Sequence, residues 1–169
     1  MAYIEIPPHG GNLINSLVQE KEKPDLIKKA GALKKLVLND REISDLEMIA
    51  TGAFSPLEGF LLEEDYLNVI ERMHLKNGLA WSIPITLAID ENEAGQIKEG
   101  QEIALYDKDN SLRGILELAQ VYSYDKKREA SQVYKSQDPS HPGVEYLYSQ
   151  GELLAGGKVR LINRPDHDN

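Results

Sequence analysis

The stretch Asn39-Asp40-Arg41-Glu42-Ile43-Ser44-Asp45-Leu46-Glu47-Met48-Ile49-Ala50-Thr51-Gly52-Ala53-Phe54-Ser55-Pro56-Leu57-Glu58-Gly59-Phe60 is the most informative part of this chain. It reads as a capped helix running into a stiff loop. The side chain of Asn39 can accept from the backbone three residues on, where Glu42 can reach back to the cap's own N–H. At about 100° per residue, Ile43, Leu46, Ile49, Ala50 and Ala53 share an arc of roughly 120°, while Arg41, Ser44, Asp45 and Glu47 point elsewhere. Gly52 offers a left-handed stop, and Ser55-Pro56 fixes an extended turn before Gly59 allows another reversal. Met48 lies about 150° from the middle of the apolar stripe. It is either a lone exposed apolar side chain or a contact for a partner or neighbouring domain.

Working outward, Leu36-Val37-Leu38 reads as a brief strand feeding Asn39, and Leu13 to Val18 as another. Glu20 to Lys29 is dense in charge and reads as a solvated helix or loop. On the other side, Leu62, Tyr66, Val69, Ile70 and Met73 gather within about 100° of arc and predict a second helix from near Glu63, ended by Asn77-Gly78. Its opening carboxylates, Glu63-Glu64-Asp65, suit the positive end of a helix dipole better than a metal. From Ser82 to Ile89 apolar and other residues alternate without a break, predicting a strand that Pro84 confines to an edge or bulge. Trp81 before it reads as a core anchor or domain-interface residue.

Glu102 to Tyr106 and Leu112 to Tyr122 predict two strands joined by a hairpin-length polar loop. Asp125 to Tyr134 looks helical, with Ala130 and Val133 inward. Pro139 and Pro142 stiffen the turn around His141, whose ring serves that turn or is aimed at a partner. A short helix from Pro142 carries Val144, Leu147 and Tyr148 and stops at Gly151. Gly151 and Gly156 have the spacing of a P-loop's glycines, but Gly157 stands where its lysine is needed, so this stretch is read as a turn before a last strand, Lys158 to Ile162. Strands in runs predict an α+β fold with an antiparallel or mixed, barrel-like sheet and several short helices, not a doubly wound nucleotide-binding fold.

At 169 residues the chain suits a single domain spanning 1–169. Its formal charge of −9 repels phosphate backbones and anionic lipid. No nucleic acid or membrane partner is expected. The chain has no cysteine, which fits a cytoplasmic protein and excludes a disulfide or thiolate metal site. Met1 to Glu5 lacks the basic and apolar regions of a signal peptide.

Four segments in register carry a family resemblance. Asp40 to Phe60, His9-Gly10-Gly11, Trp81-Ser82-Ile83-Pro84-Ile85-Thr86-Leu87, and Asp138 to Val144 (Asp-Pro-Ser-His-Pro-Gly-Val) resemble the N-terminal, PUA-like domain of ATP sulfurylase, or sulfate adenylyltransferase. The resemblance implies a parent activity that joins sulfate to the α-phosphate of ATP with Mg²⁺, giving adenosine 5′-phosphosulfate and pyrophosphate. Such chemistry needs convergent cations and backbone donors around the triphosphate. The family's His-x-x-His, Gln-x-Arg-Asn-Pro and Gly-Arg-Asp motifs belong to the domain that follows this one, and none occurs here; His9, His74, His141 and His167 are too far apart to form the first.

No catalytic, cofactor or metal site is therefore expected within these residues. ATP and Mg²⁺ are implied for the full enzyme, and the implied partners are the catalytic domain and further copies of the enzyme. His9, Met48, Ser55, Pro56, Trp81 and His141 are the candidate interdomain or interface residues. His9 either approaches a neighbouring domain or sits in a mobile terminus. The alternatives are a free-standing RNA-binding module of PUA-like fold, which the acidic charge disfavours, and a structural remnant of the enzyme.

Overall fold

The computed structural model describes residues 6–167; the reading of Met1 to Glu5 lies outside them. The chain divides into two compact units. One comprises Met1–Gly59, Ala104–Leu116 and Lys158–Asn169, and the other Phe60–Ile103 and Glu117–Gly157.

The first unit is built around α2, Asp40–Ala50. The Asn39 side chain accepts from the Glu42 N–H at 2.9 Å, and the Asn39 N–H donates to Glu42 Oε2 at 2.9 Å. This reciprocal cap satisfies two backbone donors at once, and it fixes where the helix starts. Ile43, Leu46, Ile49 and Ala50 are buried as their spacing predicts. Ala53 is exposed, because the helix ends at Ala50 and Gly52, at φ +86°, turns the chain away. Before α2 come α1, Lys23–Ala30, which keeps Asp25, Lys28 and Lys29 in solvent and buries Ala30, and β1, Lys34–Val37. Lys34 and Lys35 stand on an end strand of the sheet, where charge discourages further strand pairing. Leu13 to Val18 is not a strand. It makes one parallel bridge, Leu17 to Leu161, plus hydrogen bonds from Ser16 N–H to the Ala50 carbonyl and from Leu161 N–H to the Ser16 carbonyl.

In the second unit α3, Glu63–Arg72, buries Tyr66, Val69 and Ile70. No side chain of its own caps it; the Glu63 N–H donates instead to Gln120 Oε1 at 3.0 Å. The helix stops earlier than predicted, since Met73 takes a left-handed conformation and is half exposed. Asn77-Gly78 then turns a small loop closed by the His74 to Ala80 bridge. A short helix that periodicity did not predict, α4 at Glu91–Gln96, starts with a second reciprocal cap between Asp90 and Glu93. Farther on are α5, Lys126–Glu129, continued by a π-helical turn at Ala130–Tyr134, and α6, Pro142–Ser149.

The sheet follows the order β1-β4-β5-β6-β2, with β2 at Gly59–Phe60, β4 at Glu102–Tyr106, β5 at Leu112–Ser123 and β6 at Leu153–Leu161. The sixth strand, β3 at Ala88–Ile89, pairs antiparallel with β6, Ala88 opposite Leu154 and Ile89 opposite Leu153. The result is the expected α+β fold with a mixed sheet and short helices, and the strand order does not close on itself among the described residues.

Two readings of strands change. Ser82 to Ile89 holds its alternation from Ile85 onward, with Ile85, Leu87 and Ile89 buried, but Pro84 is buried and Ile83 half exposed. Pro84 has no N–H to donate; beyond it Leu61 N–H donates to Ile85 O and Ala155 N–H to Leu87 O, and the regular ladder is two residues long. Second, Gly156 and Gly157 lie inside β6, not in a turn before it. A Cβ on Gly156 would stand 2.5 Å from the Leu61 carbonyl oxygen, and one on Gly157 2.0 Å from that of Glu117. Glycine is there to let neighbouring backbone approach, a use of the residue that local sequence does not distinguish from turn punctuation.

Candidate functional site

The six candidate interface residues are not of one kind. His9 is exposed in a turn near the start of the described chain. Met48 is 37% exposed on α2, on the face opposite the buried stripe. Ser55 faces inward instead: its hydroxyl accepts from the Ile14 N–H at 2.9 Å and donates to the Gly52 carbonyl at 2.7 Å, so it ties the incoming chain to the loop after α2. Pro56, joined to Ser55 by a cis peptide bond, is half buried. In the second unit Trp81 is half buried, with its backbone N–H donating to the Met73 carbonyl at 2.8 Å. His141 caps α6: its Nδ1 accepts from the Gly143 N–H at 3.1 Å while its ring lies 5.2 Å from that of Tyr134. That is the turn-stabilising use of the imidazole.

The sequence reading missed three groups. Glu47 points away from the apolar stripe of α2, yet it is buried and receives Arg164 Nε at 2.8 Å on one oxygen and His167 Nε2 at 2.7 Å on the other. Burial raises its pKa, but these two donors outweigh that and hold the carboxyl below its ordinary value. The partners are 117 and 120 residues away in sequence, beyond the reach of any periodicity. Asp107 is similar. Burial opposes its ionisation, and N–H donors from Ser111 and Asp109 together with Arg113 hold its pKa down. In the second unit Tyr66 donates to the buried carboxylate of Glu129 at 2.7 Å, beside Tyr122, whose hydroxyl donates to the Leu61 carbonyl, and Tyr124.

Asp45, on α2, behaves in the opposite way. Burial pushes its carboxyl from 3.8 up to about 6, with Arg41 one helical turn back opposing part of the rise. The folded state therefore holds this proton more tightly than the unfolded chain, and stability falls as pH rises from about 4 to about 6, with the penalty complete above that. Asp45→Asn removes the penalty. After discounting the full linkage for partial exposure, the variant is expected to be more stable than the parent by about 1–2 kcal/mol at neutral pH. The gain should vanish near pH 4, which urea unfolding at the two pH values measures.

The second unit holds an open cleft of about 430 Å³ lined by Leu62, Glu63, Glu64, Asp65, Leu67, Lys76 and Gln120. Its size suits a small ligand, but its charge does not suit a triphosphate: three carboxylates face one ammonium. The groups also satisfy one another. Asp65 accepts the Lys76 N–H at 2.7 Å, Lys76 pairs with Glu64 at 3.5 Å, and Gln120 bonds Glu63. Among the described residues no group of three or more His, Cys, Asp or Glu is arranged to hold a metal ion.

A family profile described as a PUA-like domain matches residues 6–164, nearly the whole chain. The chain belongs to the PUA-like domain family. This PUA-like chain is 50% identical over 162 residues to a sulfate adenylyltransferase of Synechococcus sp. (strain JA-3-3Ab), covering 96% of this chain and 41% of that protein. It is 47% identical over 165 residues to a sulfate adenylyltransferase of Halothermothrix orenii, covering 97% and 43%. The PUA-like chain thus spans about two fifths of the length of these relatives. A solved structure described as a hexameric APS kinase from Thiobacillus denitrificans superimposes with a TM-score of 0.73 at 27% identity, covering 98% of this chain and 28% of that one.

Proposed function

We propose that this chain is the non-catalytic N-terminal domain of a sulfate adenylyltransferase, the enzyme that forms adenosine 5′-phosphosulfate and pyrophosphate from ATP and sulfate. The observation that carries the reading is identity of 50% across 96% of this chain to a protein of that name, confined to 41% of that protein's length. The charge distribution supports it. Adenylyl transfer requires donors and cations converging on the phosphates, and the largest-scale feature of this surface, a net charge of −9, works against that. The domain packs against the catalytic part of the enzyme and takes part in its oligomer, consistent with the hexameric description of the APS kinase structure it resembles. ATP and Mg²⁺ bind in the remainder of the enzyme, in the cytoplasm. Among the described residues no helix is long and apolar enough to cross a membrane.

The test is pyrophosphate release by the purified chain given ATP, Mg²⁺ and either sulfate or molybdate. The rate is expected to equal that of a control without protein. Turnover above that control, with full-length enzyme excluded by mass spectrometry, would overturn the reading.

A further inference from the structure

The segment after β6 has no regular secondary structure, yet it is held at Asn163, Arg164 and His167 within the first unit. Asn163 donates from its backbone to the Arg113 carbonyl at 3.1 Å and from Nδ2 to the Leu112 carbonyl at 3.0 Å. The Arg164 carbonyl accepts from Arg113 Nη1 at 2.7 Å, and Arg113 is itself clamped on Asp107, its Nε 2.7 Å from Oδ2. The Arg164 side chain then reaches one oxygen of Glu47, and His167 the other. Pro165 between the two arms removes one backbone torsion from the segment that joins them.

Burial is unequal across this contact. The Glu47 side chain is 9% exposed, whereas those of Arg164 and His167 are 60% and 63% exposed. Arg164 and His167, both exposed, have no need of this partner, since water serves them. The buried carboxylate has such a need: stripped of both donors it would be an uncompensated charge. The preference therefore runs from helix α2 to the tail. Glu47 gains by keeping both arms, which approach separate oxygens from residues three apart.

We propose that Glu47, with Arg164 and His167, is an exit latch: it fixes the direction in which the chain leaves this domain, and so acts as a positioning element for whatever part of the protein follows. The consequence for the enzyme rests on the proposed function above, where the part that follows is catalytic. The latch itself does not rest on it.

The chain contains no cysteine, so two introduced thiols can be spin-labelled cleanly. Lys28→Cys on α1 and Asp166→Cys in the tail are both at exposed positions of the same unit. Double electron–electron resonance on this pair is expected to give one narrow distance distribution. Two variants then remove the latch from opposite sides: Glu47→Leu, which fills the buried site with an apolar side chain of similar size, and the double substitution Arg164→Ala/His167→Ala, which changes only exposed residues. Both are expected to broaden the distribution by about twofold or more, as the chain beyond the Arg164 carbonyl loses its side-chain anchors, while circular dichroism shows the fold retained. A broad distribution in the parent, or an unchanged width in either folded variant, would overturn the latch. A fall in melting temperature without broadening would mean that the contact only stabilises the fold, which also overturns it. The sulfate adenylyltransferase reading is judged separately, by its pyrophosphate assay.

Discussion

Gly157→Ala is expected to be severely destabilising. The new Cβ would stand 2.0 Å from the Glu117 carbonyl oxygen and 3.0 Å from the Ala119 nitrogen, and the residue sits at φ +157°. All the neighbours are backbone atoms of an adjacent strand, so no side chain can swing aside. The strands must part, and the ladder between β5 and β6 in the middle of the sheet order is lost locally. Overpacking that can be absorbed costs about 1–3 kcal/mol, and displacement of a central ladder adds to it, so the total is expected to be about 4 kcal/mol or more. For a chain of this size that is a fall of roughly 10–15 °C in melting temperature. Gly95→Ala is the matched control. It lies in α4 with nothing within 4 Å of its added Cβ, and should be neutral or stabilising by up to about 1 kcal/mol. Thermal melts followed by circular dichroism measure both.

The second large effect is expected at Tyr66, which is 1% exposed and packs its ring 5.8 Å from that of Tyr122 and 6.1 Å from that of Tyr124. Burial first, and the nearby Glu129 charge second, push its phenol far above the ordinary pKa of 10, so it remains a donor at any working pH. Tyr66→Phe keeps the packing and removes the donor to a carboxylate that is itself buried, at an expected cost of about 2–3 kcal/mol. Tyr66→Ala also opens a cavity, for about 4–5 kcal/mol in all. Glu129→Gln still accepts from the Tyr66 hydroxyl and is expected to cost less than about 1 kcal/mol. A Tyr66→Phe loss no larger than that of Glu129→Gln would contradict this ranking, and urea titration of the three variants tests it.

What was legible in the sequence was what local rules control. The Asn39 and Glu42 cap lies three residues apart and was visible as such, and the buried stripe of α2 followed from a fixed angle per residue. The β4 and β5 pair was marked by two apolar runs around a polar loop. Met48 was off the stripe and is exposed. The misreadings have physical causes that do not lie in local spacing. Pro84 marks its strand for an edge or bulge, yet local alternation does not show that the regular ladder is confined to Ala88–Ile89. Gly156 and Gly157 looked like a turn because glycine's use in close approach depends on a neighbour, here the Leu61 and Glu117 carbonyls.

The candidate residues divide along the same line. His141 was legible as a turn residue because its cap acceptor and donor are two residues apart, and the structure uses it so. Ser55 was legible only as part of a stiff loop; that its hydroxyl serves the Ile14 N–H depends on a contact across 41 residues. The angle of Glu47 on the helix shows only that it lies off the apolar stripe, and nothing near it in sequence hints at Arg164 and His167. Long-range charge pairing is the kind of information that a single sequence carries least.

The central claim is that these residues form the domain that a sulfate adenylyltransferase carries ahead of its catalytic part. The most direct measurement is made on a chimaera in which this chain replaces the matching segment of the Synechococcus relative, to which it is 50% identical. Sulfate-dependent pyrophosphate release by the chimaera is expected to lie within an order of magnitude of the parent enzyme. A folded, soluble chimaera that turns over no faster than the catalytic part alone would contradict the account.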